Sequence, residues 1–169
     1  LWVTTLENGA YYAPDLSIEH LAYEDSSKVK SVLATDKQIM MGTYSGMFTV
    51  LDVQTKKTVF KKKFASPVNT LFRDGRHNVW VSTEALVRYN EDFQELLRHN
   101  KLNPVLDFVE PREGGIRGYT SSSCYKFDED GGLVQALHAE KGGFRNMLFE
   151  DSVVYISGRL GLHVFDTTH

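Results

Sequence analysis

Histidine serves both as a metal ligand and as a proton carrier near neutral pH, so the six histidines of this 169-residue chain are the first candidates for chemistry. His20, His77, His99, His138, His163 and His169 are scattered, and no His-x-x-x-His or Cys-x-x-Cys spacing pairs two ligands on one element. Cys124 is the single cysteine, which rules out an intramolecular disulfide. It has no evident His or Asp partner in its own stretch and reads as a small strand residue rather than a nucleophile. The acids Glu110 and Glu113, and the run Asp128-Glu129-Asp130, fall in turn-like segments and read as solvated turn residues rather than an acid/base pair. Asp128 to Gly132 has the start of a calcium loop but lacks the remaining ligands and the bidentate Glu at the right distance. Gly114-Gly115 and Gly142-Gly143 are turn glycines, not a phosphate cradle. No metal, no cofactor and no catalytic residue is expected, and the chain is not expected to be an enzyme.

Composition narrows the remaining classes. Hydrophobic residues make up 41% and charged residues 24%, with a net charge of −3 and a pI near 6.1. That balance fits a globular chain and argues against a nucleic-acid partner, which would call for a basic excess. Lys56-Lys57 and Lys61-Lys62-Lys63 are the one basic concentration, read as exposed strand ends or, less simply, as a patch for an acidic glycan or phosphate. No apolar run approaches the roughly 18 residues that span a bilayer, so no membrane contact by this segment is expected. A start in mid-strand at Leu1-Trp2-Val3 is expected of a fragment of a longer protein.

The elements that would position any site are strands. Asn78-Val79-Trp80-Val81-Ser82-Thr83 followed by Ala85-Leu86-Val87-Arg88-Tyr89-Asn90 reads as a β-hairpin, and the pattern recurs along the chain. A large apolar or aromatic anchor falls at Tyr12, Leu51, Tyr89, Phe127 and Phe165, at intervals of 38 or 39 residues. A hydroxyl closes the first strand of the hairpin at Thr5, Thr43, Thr83 and Thr120, with Gly158 in the fifth place. Asp52, Asn90, Asp128 and Asp166 each follow their anchor. Strands are expected at 1–5, 9–13 and 18–23; at 29–34, 38–43, 47–53 and 58–63; and at 68–73, 78–82, 85–90 and 94–99. Further strands are expected at 104–109, 116–120, 124–128 and 133–138, then at 144–149, 153–157 and 161–166. Residues 95–98 have helical propensity, but their place in the repeat assigns them to a strand. The fourth copy is irregular, with Arg117 and Gly118 where the others hold apolar residues.

Four short strands per 38 residues, joined by turns of a few residues, predict an all-β β-propeller of antiparallel four-stranded blades. The repeats fall at about 1–27 (partial), 28–65, 66–103, 104–141 and 142–169 (partial), in one propeller segment covering 1–169. The two end pieces sum to more than one blade, so an arc of about four to five blades from a larger propeller is expected.

The third repeat couples Asp74 in a turn to Val79-Trp80-Val81-Ser82-Thr83, then Leu86, then Arg88-Tyr89-Asn90. This resembles the two-component regulator propeller repeat, with its turn Asp, its Leu-Trp-Ile-Gly-Thr strand, its Gly-Leu and its Arg-Tyr-Asp ending. Leu1-Trp2-Val3-Thr4-Thr5 with Gly9-Ala10-Tyr11-Tyr12, and Met40-Met41-Gly42-Thr43 with Gly46-Met47, are similar to the same element. The turn Asp recurs at Asp36 and Asp151, and tryptophan appears in two of the five copies. The resemblance implies a periplasmic sensor region of a Bacteroides-type hybrid two-component histidine kinase, an inner-membrane protein that senses oligosaccharides. It also implies the remaining blades and a membrane-proximal domain as partners, and a homodimer formed through the parent protein. No phospho-accepting His or kinase motif lies within the chain.

A propeller ligand commonly meets the face built from the loops joining second to third strands and from fourth strands to the next blade. Aromatic faces and paired polar groups suit a sugar, so the candidate ligand-binding residues are Glu7, Tyr44, Glu84, Arg145 and Arg159. The alternative is a propeller scaffold for protein–protein contact with no small ligand. A propeller lyase or hydrolase is a weaker third reading, for want of an acid/base cluster.

Overall fold

The computed structural model describes residues 2–5, 9–12, 26–102, 104–109, 115–138, 144–150, 153–158 and 161–166. Among them every regular element is a strand, and every sheet is a meander in which sequence neighbours pair antiparallel. The first sheet is the hairpin β1 (Trp2–Thr5) and β2 (Gly9–Tyr12). The second is β3 (Val29–Ala34), β4 (Gln38–Thr43), β5 (Met47–Asp52) and β6 (Thr58–Lys63). The third is β7 (Thr70–Arg73), β8 (Val79–Ser82), β9 (Leu86–Tyr89) and β10 (Glu95–His99). The fourth is β11 (Asp107–Val109), β12 (Ile116–Tyr119), β13 (Ser123–Phe127) and β14 (Leu133–His138). The fifth is β15 (Phe144–Glu150), β16 (Val153–Gly158) and β17 (Gly161–Asp166). Position overrides helical propensity at β10, as the repeat predicts. The strand expected at 18–23 and the turn Asp151 lie outside the described residues.

The middle strands of the third and fourth sheets are buried on both faces because each of these sheets is covered on both sides by a neighbouring blade. In the third blade Val79, Val81, Val87, Tyr89 and Phe93 join Met40, Phe48 and Val50 of the second blade in a shared core. The alternate residues Trp80 and Leu86 join Val105, Phe108, Tyr125 and Phe127 in a core shared with the fourth. Tyr119 and Cys124 then pack on Phe144, Val154 and Ile156 of the fifth. The first strands β3, β7 and β11 adjoin one another, whereas the fourth strand β6 is exposed along most of its length. Three consecutive lysines, Lys61 to Lys63, occupy that edge, where charge disfavours pairing with another chain.

The recurring polar residues hold the turns. Thr43 Oγ1 accepts from the Met47 amide at 3.1 Å, Thr83 Oγ1 from Ala85 at 3.2 Å, and Thr120 Oγ1 from Ser123 at 2.9 Å. All three threonines are buried, so the hydroxyl satisfies amides that water cannot reach. Asp52 Oδ1 accepts from the Thr55 amide, Asn90 Oδ1 from Asp92 and Gln94, and Asp128 Oδ1 from Asp130 and Gly132. These side chains close each turn between third and fourth strands as Asx turns.

The irregular fourth copy also has a packing reason. Gly118 pairs with Phe108 across β11 and β12, and a Cβ there would lie 3.0 Å from Val105 and 3.2 Å from the Phe108 ring. Its absence lets Phe108 stack on Phe72 of the third blade, with centroids 5.1 Å apart. Arg117 is buried on the opposite face, and desolvation lowers its pKa, with the neighbouring Cys124 acting the other way.

Candidate functional site: two ends of the blades

A meander places the turns between second and third strands at one end of the blades and the remaining two turns of each blade at the other. Tyr44 and Glu84 stand at the first end. Tyr44 is 55% exposed, and the Lys30 ammonium lies 5.0 Å from its ring centroid. Lys30 also donates to Asn69 Oδ1 at 2.6 Å. Glu84 accepts from the Ser66 amide at 3.0 Å and the Ala65 amide at 3.4 Å, so it ties its turn to the segment that carries the chain from the second blade to the third. Burial raises the Glu84 pKa, but its own amide, Ser66, Ala65 and the Thr83 hydroxyl outweigh it and hold the carboxyl below its ordinary value. Tyr44 and Glu84 thus share an end, each engaged with a different segment. Arg145 lies on β15, of which only the backbone is described there, and Glu7 and Arg159 lie outside the described residues.

At the other end a cleft of about 370 Å³ opens between the second and third blades. Thr35, Asp36, Lys37 and Gln38 form one wall, from the turn between β3 and β4. Arg73, His77 and Glu91 form the other, and Met40, Val79 and Phe93 the floor. Glu91 Oε1 lies 3.3 Å from Arg73 Nη2 and 3.1 Å from His77 Nδ1. His77 and Phe93 both have a positive φ, 67° and 58°, where a side chain is strained. This cleft was not expected from sequence. The one available sign was Phe93 itself, which stands in the turn place that Gly131 takes in the next blade.

The corresponding place between the third and fourth blades is filled. Asp74 is buried and accepts from Trp80 Nε1 at 3.0 Å, from Arg88 Nη2 at 2.8 Å and Nε at 3.1 Å, and from the Asn78 amide at 2.8 Å. Burial pushes its carboxyl up, and the bonds from Trp80, Asn78 and Arg88 together pull it below its ordinary value. The Arg88 and Asp74 side chains are 5% and 1% exposed, so this is a desolvated ion pair with its lone pairs satisfied. Arg88 also lies over the Trp80 ring and donates to the Glu129 carbonyl of the fourth blade at 3.1 Å. Arg76 pairs with Glu129 and Asp130 across the same seam. The turn acids of the fourth blade are therefore held by arginine.

The turn Asp expected at Asp36 has a different part. Thr35 takes the capping place, accepting from the amides of Gln38 at 3.0 Å and Lys37 at 3.4 Å, while Asp36 is exposed. Thr35, Met40 and Val50 thus occupy the places of Asp74, Trp80 and Arg88.

Among the described residues no group of three His, Cys, Asp or Glu side chains is arranged to hold a metal. Cys124 is buried, and desolvation pushes its thiol up to about 11, with Arg117 pulling the other way. It stays protonated near neutral pH.

Stacked four-stranded meanders with adjoining first strands define the class: an arc of a β-propeller. Comparison with solved structures bears this out. The chain is similar to the computationally designed Ika4 protein, with a TM-score of 0.71 and 15% identity over 89% of this chain and 99% of that one. It is similar to BamB from Moraxella catarrhalis, with a TM-score of 0.68 and 17% identity over 86% of this chain and 49% of that one. U3-55K gives a TM-score of 0.67 at 10% identity, covering 85% and 53%. The chain thus spans about half the length of BamB and U3-55K, and at these identities the likeness is one of fold. No protein-family profile and no curated protein matches the sequence.

Proposed function

We propose that the chain is a non-catalytic, ligand-sensing propeller segment of a periplasmic two-component sensor, with an oligosaccharide as its ligand. In this reading the remaining blades and a membrane-proximal domain of the parent protein relay occupancy to a histidine kinase, and the parent works as a homodimer. One observation carries it. Asp74, Trp80 and Arg88, by which the third repeat resembles two-component regulator propellers, form one bonded unit that sets the seam with the next blade. The resemblance therefore rests on residues with a joint mechanical role and not on composition. The test is thermal unfolding against a panel of oligosaccharides, where a ligand that binds only the folded chain raises Tm saturably. A flat response across the panel, together with a parent reading frame lacking a membrane span and kinase region, would overturn the reading.

A propeller scaffold is the second reading, and the fifth blade favours it. Leu148, Leu162 and Val164 lie on one face of that sheet at 63%, 64% and 58% exposure. An apolar face of this kind, turned away from the fourth blade, suits either a further blade of the arc or another protein surface. Stable capture of a protein partner with no response to sugars would decide for the scaffold.

A further inference from the structure

We propose that the cleft between the second and third blades binds a neutral, hydroxyl-rich ligand of one or two pyranose rings. This rests on the ligand-sensing reading above and moves the ligand to the opposite end of the blades from Tyr44 and Glu84. Volume is the first argument, since about 370 Å³ falls at the low end of the roughly 300–1,000 Å³ typical of small-molecule sites. The cleft is also a specific departure from the neighbouring seam, where Trp80, Arg88 and the Asp128–Gly131 turn fill the space.

Chemistry is the second. Arg73 offers N–H donors and Glu91 a carboxylate acceptor side by side, 3.3 Å apart, with His77 beside the same oxygen. A sugar hydroxyl both donates and accepts, so two vicinal hydroxyls can bridge such a pair, each meeting one partner. The Arg73–Glu91 pair is long and partly exposed, so its own attraction is weak and little is lost when a diol inserts. Asp36 and Lys37 on one wall balance in sign, as Arg73 and Glu91 do on the other, so neither an anion nor a cation gains a net advantage. The apolar floor of Met40, Val79 and Phe93 suits the C–H face of the ring. Two of the three described non-glycine residues with positive φ, His77 in the wall and Phe93 in the floor, line this cleft, and the third, Lys56, lies in a turn of the second blade.

Calorimetric titration of the full chain with maltose, cellobiose, lactose and a galacturonic acid disaccharide tests this. The expected result is saturable binding of a neutral disaccharide, weakened roughly tenfold or more by Glu91→Gln and by Arg73→Ala, and unchanged by Glu84→Gln. In the unmodified chain the same titration should shift the His77 ring resonances, a readout that does not depend on a variant folding. Binding that survives both cleft variants without moving His77 would overturn the cleft as the site while leaving the sensing reading intact. Tighter binding of the galacturonic acid disaccharide would overturn the neutral class. Failure of every disaccharide to bind would overturn both the inference and the sugar reading.

Discussion

The seam between the second and third blades and the seam between the third and fourth solve one packing problem in opposite ways. In each, the turn between third and fourth strands of the later blade sits down on the middle strands of the earlier one. The third blade presents the bulky Trp80 and Arg88, and the turn that meets them carries Gly131 at φ 90°. A Cβ there would lie 2.9 Å from Leu97, 3.0 Å from Trp80 and 3.3 Å from Arg88. The second blade presents the smaller Met40 and Val50, and the turn that meets them carries Phe93. Its ring stacks on Phe60 with centroids 4.9 Å apart and meets Phe48 edge-on at 6.3 Å. Large against glycine and small against phenylalanine keep the buried part of each seam packed, while the rim of the seam between the second and third blades, lacking a Trp80 and an Arg88, stays open as the cleft. Phe93 accepts a left-handed backbone for it, and the aromatic contacts repay that strain.

Breaking the polar seam should cost most. Asp74→Ala strands a buried guanidinium and should lower unfolding free energy by about 3–5 kcal/mol in a urea titration. Asp74→Thr with Arg88→Val, which imports the second blade's residues, should lose much less than Asp74→Ala alone, because no buried charge is left without a partner. Next comes the apolar seam, where Phe93→Ala should cost about 3 kcal/mol by opening a cavity. Phe93→Gly should recover about 1 kcal/mol of that, since glycine tolerates the positive φ. Gly131→Ala should cost about 2 kcal/mol through overpacking and strain, and distinctly less in a Trp80→Met, Arg88→Val background.

Acid should separate the two seams. The Asp74 carboxyl is held below its ordinary value of 3.8 in the folded chain, so its contribution is present above that pH and is lost as pH falls through the folded value. In a Trp2→Phe background, Trp80 emission should report the polar seam loosening over this window, and Asp74→Asn should flatten the response. The smallest effect belongs to Glu84→Gln, less than about 1 kcal/mol, because an exposed carboxylate on backbone amides is screened by solvent.

The strand order and the turns were readable because each repeat marks them with a residue that does local work. Thr43, Thr83 and Thr120 recur because each caps a turn through its hydroxyl, and Asp52, Asn90 and Asp128 because each closes one with its side-chain oxygen. Local bonds leave local signatures. Asp36 misled for the same reason, since a hydroxyl can do what a carboxylate does at a turn and Thr35 stood one place earlier. The cleft was not readable, because it arises from what two consecutive repeats jointly fail to fill. Aligning 128–131 with 90–93 exposes Phe93 in a glycine's place, but only the packed seam shows which side chains of the preceding blade it answers.

Chains of look-alike units face a hazard during folding, since any blade face could stack on the wrong neighbour. The paired sizes at the two seams act as keys against this. The turn with Phe93 cannot seat on Trp80 and Arg88 without collision, and the turn with Gly131 would leave a void on Met40 and Val50. A blade set beside the wrong neighbour is therefore penalised by overlap or by emptiness, and the order of the units is enforced by shape as well as by the covalent chain.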